Sequence, residues 1–257
     1  MRPHASAAAC HNRAVANLVD QAICIRHWDW SETSQTVSLF CRASGILRGL
    51  AKGARRERGS FSGGIDLLAR GEVVAVVKPD RELQTLTQWT LLQMFRRPHD
   101  DLEANLTGLA MAELVHRFLP PAEPHARLFD ALLAALDALE GGERPAPELL
   151  TFFLTLLRET GHEPRLDDSG IPSGSLAFDP EAGGLVDHRT HARAWRMRPG
   201  TAAALALVAS GEPADACDPD AVDRAIRLLG AYSRTILGDG FSTLDLLAAA
   251  VRRNGAA

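Results

Sequence analysis

The sequence predicts an α+β chain in which a small β-barrel precedes an α-helical domain. Between residues 21 and 97, short apolar or alternating runs are separated by turn residues such as Ser44-Gly45 and Gly63-Gly64, a pattern typical of strands. After Pro98 the apolar residues recur every three to four positions, a pattern typical of helices. The change of period near residue 98 marks the predicted boundary between the two domains.

Five or six short strands are predicted. A closed barrel is the expected arrangement, because closing the sheet on itself removes its free edges. They lie at residues 22–26, 36–40, 46–50, 65–68, 73–77 and 83–89. Residues 1–20 are predicted to form a flexible extension, because they contain neither a strand pattern nor the apolar stretch of a signal peptide. The predicted barrel domain therefore covers residues 21–97.

The helical domain is predicted to cover residues 98–257. Pro120-Pro121 ends its first helix, Gly141-Gly142 ends the second, and Gly161 can cap the third. Residues 163–190 are rich in Gly, Pro and Asp and predict a small irregular insert. The predicted helices lie at 100–118, 124–139, 147–159, 199–209, 220–236 and 243–252.

The composition excludes several classes of protein. Hydrophobic residues form 46% and charged residues 23% of the 257 residues, which excludes a disordered or collagen-like chain. The four cysteines include no C-x-x-C pair, so neither a disulfide framework nor a thiolate zinc site is expected, and a reducing cytoplasm fits best. No apolar run approaches the roughly 20 residues that span a bilayer.

A local excess of positive charge is the strongest functional signal. Six cations between residues 42 and 58 oppose Glu57 alone, a net charge of +5 within a chain whose net charge is -4. Such a cluster can neutralise phosphates and release their counterions without reading a sequence. The alternative is a loop whose charges are merely solvated. The predicted DNA-binding cations are Arg42, Arg48, Lys52, Arg55, Arg56 and Arg58.

Aromatic residues in the same half of the chain offer stacking surfaces for unpaired bases. Trp28 and Phe40 are the predicted base-contacting residues, and core packing is the alternative for each of them. Trp28 and Trp30 share a parity that would place both side chains on one face of a strand.

No motif of an enzyme emerges clearly. The chain lacks G-x-x-x-x-G-K-[ST], G-x-S-x-G, H-E-x-x-H and a post-strand G-x-G-x-x-G. Two E-x-x-H pairs, beginning at Glu113 and Glu159, have the spacing found in di-iron helical bundles. Such a site needs two further inward glutamates, and a helix end at Gly161 would separate His162 from its pair. We therefore expect no catalytic residues and no enzyme activity.

Three segments resemble the RecO family of bacterial DNA repair proteins. They are VSLFCRASGILRGLAKGARRERGSFSGGIDLLARGEVV at 37–74, FDPEAGGLV at 178–186 and AIRLLGAYSRTILGDGFSTLDLL at 225–247. The resemblance extends over about residues 21–247, and the AKGARR stretch is its most specific part.

The resemblance implies an N-terminal OB-fold, a helical domain with a zinc-binding or zinc-derived insert, and a recombination mediator. Such a mediator binds single- and double-stranded DNA, anneals complementary strands, and works with RecR and the single-strand binding protein to load the recombinase RecA. The DNA surface implied by the match contains Arg48, Lys52, Arg55, Arg56 and Arg58.

One departure from the family concerns zinc. Where many members carry two C-x-x-C pairs, this sequence has Ser169, Pro172, Asp187 and Thr190. No thiolate remains, so we expect no metal cofactor and an insert stabilised by packing alone. A substitute site at Asp187, His188 and His191 is the alternative.

The sequence therefore predicts a monomeric, cytoplasmic, nucleoid-associated accessory factor of recombinational repair. Arg117 or Arg127 could face the acidic tail of the single-strand binding protein. The second hypothesis is a protein-interaction adaptor that keeps the same scaffold but has lost DNA binding.

Overall fold

The computed structural model describes residues 16–56, 59–61, 63–172 and 174–254. Its first five strands form a closed barrel in the order β1-β2-β3-β5-β4. All neighbouring pairs are antiparallel except β3 and β5, which are parallel. The strands are β1 (Ala16–Asp29), β2 (Gln35–Cys41), β3 (Gly45–Ala51), β4 (Arg70–Val77) and β5 (Gln84–Gln93).

Strand β1 begins six residues earlier than the sequence predicted. Its first half, from Ala16 to Ile23, pairs with β4, and its second half, from Ala22 to Asp29, pairs with β2. The first residues of β1 are largely exposed, so they carry no apolar alternation from which a strand could be inferred. Residues 16–20 thus belong to the barrel and not to the predicted extension.

The segment at residues 65–68 was predicted to be a strand, and that prediction is wrong. Leu68 has a positive φ of 62°, and its N–H donates to the carbonyl of Cys24 at 2.8 Å. Ile65 and Leu68 are nevertheless buried, because Ile65 packs in the barrel interior and Leu68 packs in the core shared with the helices. A short apolar run in the sequence predicts that the segment is buried. Whether the segment is a strand depends on the hydrogen bonds that its backbone forms.

The helices match the predicted ones within a few residues. The α2 helix begins after Asp101, whose carboxylate accepts from the Ala104 N–H at 2.8 Å, and Gly161 has a left-handed φ of 77° just beyond α4. No described helix is long and apolar enough to cross a membrane. The helices are α1 (Arg97–Asp100), α2 (Leu102–Phe118), α3 (Ala126–Gly141), α4 (Pro145–Glu159), α5 (Pro199–Ala209), α6 (Pro219–Leu237) and α7 (Ser242–Asn254), with a 3-10 turn at Ala214–Ala216.

The insert contains more regular structure than the sequence indicated. Strands β6 (Leu176–Asp179), β7 (Gly184–Asp187) and β8 (Trp195–Arg196) form a sheet in the order β7-β6-β8, which extends past the predicted end at 190. Phe178 is fully buried and its ring packs against Trp195 and Tyr232. This aromatic cluster attaches the insert to α6.

The barrel and the helical domain share a hydrophobic core. Cys24 and Leu39 point into the barrel, whereas Ile23, Phe40 and Ile46 point outward and join the core of the helices. The ring of Phe40 meets that of Phe129 on α3, edge to face, at 5.6 Å between centroids. One part of the outer barrel face is thereby covered, and the part beyond it is left for other contacts.

Candidate nucleic-acid interface

Four of the predicted cations lie at the two ends of the β2–β3 hairpin, and Arg48 lies within β3. Arg42 lies in the turn that joins β2 to β3, whereas Lys52, Arg55 and Arg56 follow the opposite end of β3. A seven-residue strand separates the two groups, roughly 23 Å at the usual rise per residue. The predicted cations are close together in the sequence, but they therefore do not form one continuous patch on the surface.

Three of these arginines form ion pairs with carboxylates. The guanidinium of Arg42 donates two hydrogen bonds of 2.8 Å to Asp130 on α3, and this contact holds the pKa of Asp130 below its usual value. Arg48 pairs with Glu82, and Arg55 pairs with Asp29. Their positive charge is already compensated within the protein.

Lys52 and Arg56 are exposed and have no carboxylate partner among the described residues. Together with Trp30, which is 65% exposed, they line a shallow groove of about 340 Å³ at the end of the barrel. We call it the barrel-end groove, and its remaining lining residues are Ser31, Thr33, Ser34, Leu50 and Gly53. Arg58 lies outside the described residues.

The outer face of the barrel continues from this groove along β1. A bulge between Cys24 and Arg26 shifts the alternation of inward and outward side chains along β1. Arg26 therefore pairs with Ser38, and Trp28 with Thr36, on the outward face. Arg26 lies 4.7 Å above the Trp28 ring, which is 40% exposed. A cation and an aromatic ring thus occupy the surface beyond the covered part of the barrel.

A second cleft, of about 470 Å³, lies where β1 meets α2 and the start of α7. We call it the junction cleft, and Arg26, Trp28, His116 and Arg117 line it. Burial lowers the pKa of His116, and the positive charges of Arg26, Arg48 and Arg117 lower it further. The Nδ1 atom of His116 is buried without a hydrogen-bond partner among the described residues. The Glu113 carboxylate also lines this cleft and opposes the lowering of the His116 pKa, so Arg26 and Arg117 contribute positive charge and Glu113 contributes negative charge to it.

Sequence reasoning missed Arg26 and His116. Arg26 stands two residues before Trp28 on the same strand, a spacing that could have indicated their shared face, because the bulge lies before Arg26 and leaves that parity intact. His116 comes from a helix that the sequence does not connect with the barrel. Its position beside the barrel strands depends on the packing of α2 against β1.

The prediction that Phe40 contacts bases is wrong. Phe40 is completely buried, because α3 covers this part of the outer barrel face and places Phe129 against its ring. Core packing, the alternative reading of this residue, is what the structure shows. Trp30 is also not on the strand with Trp28, since β1 ends at Asp29 and Trp30 lies in the following loop.

The two arginines proposed for partner contacts have different surroundings. Arg117 packs over the Phe241 ring at 5.3 Å and pairs with Asp239 at 3.3 Å, inside the junction cleft. Arg127 is highly exposed at the start of α3, 3.9 Å from the carboxylate of Glu159. Their role in partner binding stays a prediction.

The described residues contain no group of three or more His, Cys, Asp or Glu side chains arranged to hold a metal. Asp187 is paired with Arg189 at 2.7 Å, and hydrogen bonds from Arg189 hold its pKa well below the usual range. His188 Nδ1 lies 3.1 Å from the carbonyl of Ser175. The Glu113 carboxylate of the first E-x-x-H pair accepts hydrogen bonds from Ser242 and Thr243 at the start of α7.

A closed five-stranded barrel in the order β1-β2-β3-β5-β4, followed by a helical domain, defines a mixed α+β protein with an OB-like N-terminal domain. Residues 16–95 match the family model described as recombination protein O N terminal, and residues 99–245 match recombination protein O C terminal. The chain therefore belongs to the RecO family, whose members serve DNA repair and recombination.

Three relatives, each named DNA repair protein RecO, illustrate the similarity. The protein of Rubrobacter xylanophilus is 30% identical over 217 residues, 80% of this chain and 86% of the relative. That of Rhodopirellula baltica is 38% identical over 143 residues, 56% of this chain and 53% of the relative. That of Salinibacter ruber is 34% identical over 152 residues, 59% and 58% of the two chains. The chain thus spans little more than half the length of the last two.

Proposed function

We propose that this protein is a recombination mediator in DNA repair. It binds single- and double-stranded DNA, promotes the annealing of complementary strands, and helps to load the recombinase together with RecR and the single-strand binding protein. It acts in the cytoplasm at the nucleoid, as a monomer, and catalyses no reaction. The DNA repair role of the family and the cationic outer face of the barrel support the proposal.

The observation that carries the proposal is the barrel-end groove. Lys52 and Arg56 bring positive charge that no described carboxylate compensates, next to the exposed ring of Trp30. Phosphates fit the cations and an unstacked base fits the ring, a combination that binds single strands without sequence preference. The path continues over Trp28 to Arg26 in the junction cleft.

Annealing follows from the same charges. Two DNA strands repel each other until cations screen their phosphates, and a protein surface that holds both strands lowers that barrier. Arg117 and Arg127 supply positive charge on the helical side for the acidic tail of the single-strand binding protein. The proposed function includes no metal cofactor, and the packing of Phe178 against Trp195 and Tyr232 supports an insert that is stable without one.

The test is fluorescence anisotropy of labelled single- and double-stranded DNA from about 50 to 200 mM salt. The wild type is expected to bind with a steep salt dependence. The variant Lys52→Ala/Arg56→Ala should bind more weakly, and its log-log salt slope on single strands should fall by about 1.4, because each lost phosphate contact removes about 0.7.

The matched control is Arg193→Ala/Arg198→Ala, which removes the same charge from exposed positions in the insert and at the start of α5. This control should keep the wild-type salt slope. Equal effects of the two double variants would show that only net charge matters, and would contradict a defined interface at the barrel-end groove.

The second candidate function is a protein-interaction adaptor without DNA binding. The carboxylate partners of Arg42, Arg48 and Arg55 favour it, because half of the predicted cations are paired within the protein and would have to exchange those partners to bind phosphates. Absence of DNA binding at 50 mM salt, together with retained binding of RecR or the single-strand binding protein, would establish the adaptor.

A further inference from the structure

A cleft on the helical domain has the opposite charge character to the proposed DNA surface. It measures about 720 Å³ and lies between α2, α6 and α7. We call it the acidic cleft. Four carboxylates and two guanidinium groups line it, and they belong to Glu103, Asp220, Asp223, Asp245, Arg227 and Arg234.

Two of these carboxylates form no ion pair with another described residue. Asp220 lies 3.8 Å from Arg224 and Asp245 lies 3.5 Å from Arg234, so each has a partner. Glu103 on α2 and Asp223 on α6 are half-buried and form no ion pair or side-chain hydrogen bond with another described residue. Both line the same cleft from facing helices.

The pKa values of Glu103 and Asp223 are both raised, which favours a positive group beside them. Burial raises the pKa of Glu103, and the negative charges of Asp101 and Asp223 raise it further, against the opposing effect of Arg97. Burial also raises the pKa of Asp223, where Asp220 adds to the effect and Arg227 and Arg224 oppose it. A positive group placed between the two carboxylates would offset the desolvation of both and the repulsion that Asp223 exerts on Glu103.

An independent observation comes from Thr107, which lies one turn after Glu103 on α2. Its side chain is completely buried, it lines the cleft, and its hydroxyl has no hydrogen-bond partner among the described residues. Buried hydroxyls are nearly always paired, so an orphaned one beside a cavity indicates a group that binds there.

We propose that the acidic cleft binds an alkylguanidinium or alkylammonium group. Its charged head lies between Glu103 and Asp223 and donates a hydrogen bond to the Thr107 hydroxyl, while its aliphatic stem packs against Leu244 and Leu247. The volume is within the range of pockets for small organic ligands and far exceeds that of a metal ion. The source is either a free diamine-like molecule or an arginine or lysine side chain of a partner protein.

The test is calorimetric titration of the full chain with agmatine and with the peptide Gly-Arg-Gly, using 1-pentanol as the uncharged analogue. Agmatine or the peptide is expected to bind, and 1-pentanol is not. Tighter binding of agmatine identifies a free ligand as the source, and tighter binding of the peptide identifies a partner side chain. Failure of both cations to bind at millimolar concentration would overturn the proposal.

Variants locate the site. Glu103→Gln and Asp223→Asn should each weaken agmatine binding about tenfold or more, because each removes a charge-assisted hydrogen bond. Thr107→Val should also weaken binding, yet raise the melting temperature of the free protein, since it removes an orphaned hydroxyl. Glu212→Gln, at an exposed acid outside the cleft, is the matched control and should change neither property.

Two results from the variants would contradict the proposal. Unchanged agmatine affinity in the Glu103→Gln/Asp223→Asn double variant would place the cation elsewhere. A large loss of stability in Glu103→Gln would show that this carboxylate already has a cationic partner in the folded chain. Neither measurement involves DNA, so the proposal can fail or succeed independently of the mediator function.

Discussion

Arg55 and Arg56 are neighbours in sequence, but their environments differ. Arg55 pairs with Asp29, whereas Arg56 lines the barrel-end groove with no described carboxylate partner. An arginine already paired with a carboxylate has less to gain from a phosphate, because binding would have to break the existing pair. The two residues therefore allow a comparison in which the side chain and the charge removed are identical.

We expect Arg56→Ala to lower the salt slope of single-stranded DNA binding by about 0.7, the contribution of one phosphate contact, and Arg55→Ala to leave it near the wild-type value. Anisotropy titrations at four or more salt concentrations measure both slopes. A larger change in Arg55→Ala than in Arg56→Ala would mean that the Asp29 ion pair opens on DNA.

Trp30 tests the stacking component separately from charge. Trp30→Ala should weaken binding of single-stranded DNA by about 1–3 kcal/mol, the usual contribution of one stacked base, and should affect duplex DNA much less. Bases in a duplex are already stacked on each other and cannot reach the ring. Equal losses on single and double strands, measured at the same salt concentration, would argue against stacking.

At the scale of elements, the start of α7 is held by a carboxylate from another helix. Glu113 on α2 accepts hydrogen bonds from the N–H groups of Ser242 and Thr243, at 3.2 and 2.9 Å, and from both hydroxyls. A carboxylate in this position satisfies free N–H groups and complements the helix dipole. The sequence could not show this contact, since the partners are about 130 residues apart.

Glu113→Gln should destabilise the protein by about 1–2 kcal/mol at pH 7, because the cap loses its charge. Burial alone would raise the pKa of Glu113, but hydrogen bonds from Thr243 and Ser242 hold it below the usual 4.5. This stabilisation is therefore fully present above pH 4.5 and is lost as the pH falls through the lower pKa of the folded state.

Urea unfolding of the wild type and Glu113→Gln between pH 7 and pH 3 measures this difference. It should be largest near neutral pH and shrink below pH 4.5. Glu212→Gln serves as the control at an exposed site. A difference that grows on acidification would have the wrong sign for a carboxylate with a lowered pKa.

At the scale of the whole molecule, the barrel and helices are joined by a common core. Gly45 has a φ of 71° and approaches the backbone of Glu123 so closely that a Cβ would collide with it. The Ala122 N–H donates to the carbonyl of Ile46 at 3.1 Å at the same contact. The exposed Arg42–Asp130 pair adds to this contact, but the buried apolar surface contributes more to stability.

Phe40→Ala should cost about 3–5 kcal/mol of unfolding free energy, as expected for a fully buried phenylalanine. Because the ring belongs to the joint core, the variant should still unfold in a single transition that is shifted for both domains. Denaturation followed by tryptophan fluorescence and by circular dichroism tests this expectation. Two separate transitions in the wild type would show that the domains are stabilised independently.

Much of the fold could be predicted from periodicity, since both the strand-rich half and most helices lie where the sequence placed them. The exceptions have physical reasons. Residues 16–20 form a strand because β4 supplies hydrogen-bonding partners along their whole length, whereas residues 65–68 are more apolar but form no strand, although the Leu68 N–H donates to Cys24. Hydrogen-bonding partners from distant parts of the chain decided both cases.

The sequence by itself determined the class of protein, through the spacing of apolar residues, the cation-rich segment and the family resemblance. Only the tertiary structure decided which charges are available, because ion pairs with Asp29, Glu82 and Asp130 depend on contacts between distant segments. It likewise buried Phe40, and it brought Arg26 and His116 to one cleft. Charge and hydrophobicity are properties of single residues, whereas exposure and pairing are properties of the folded chain.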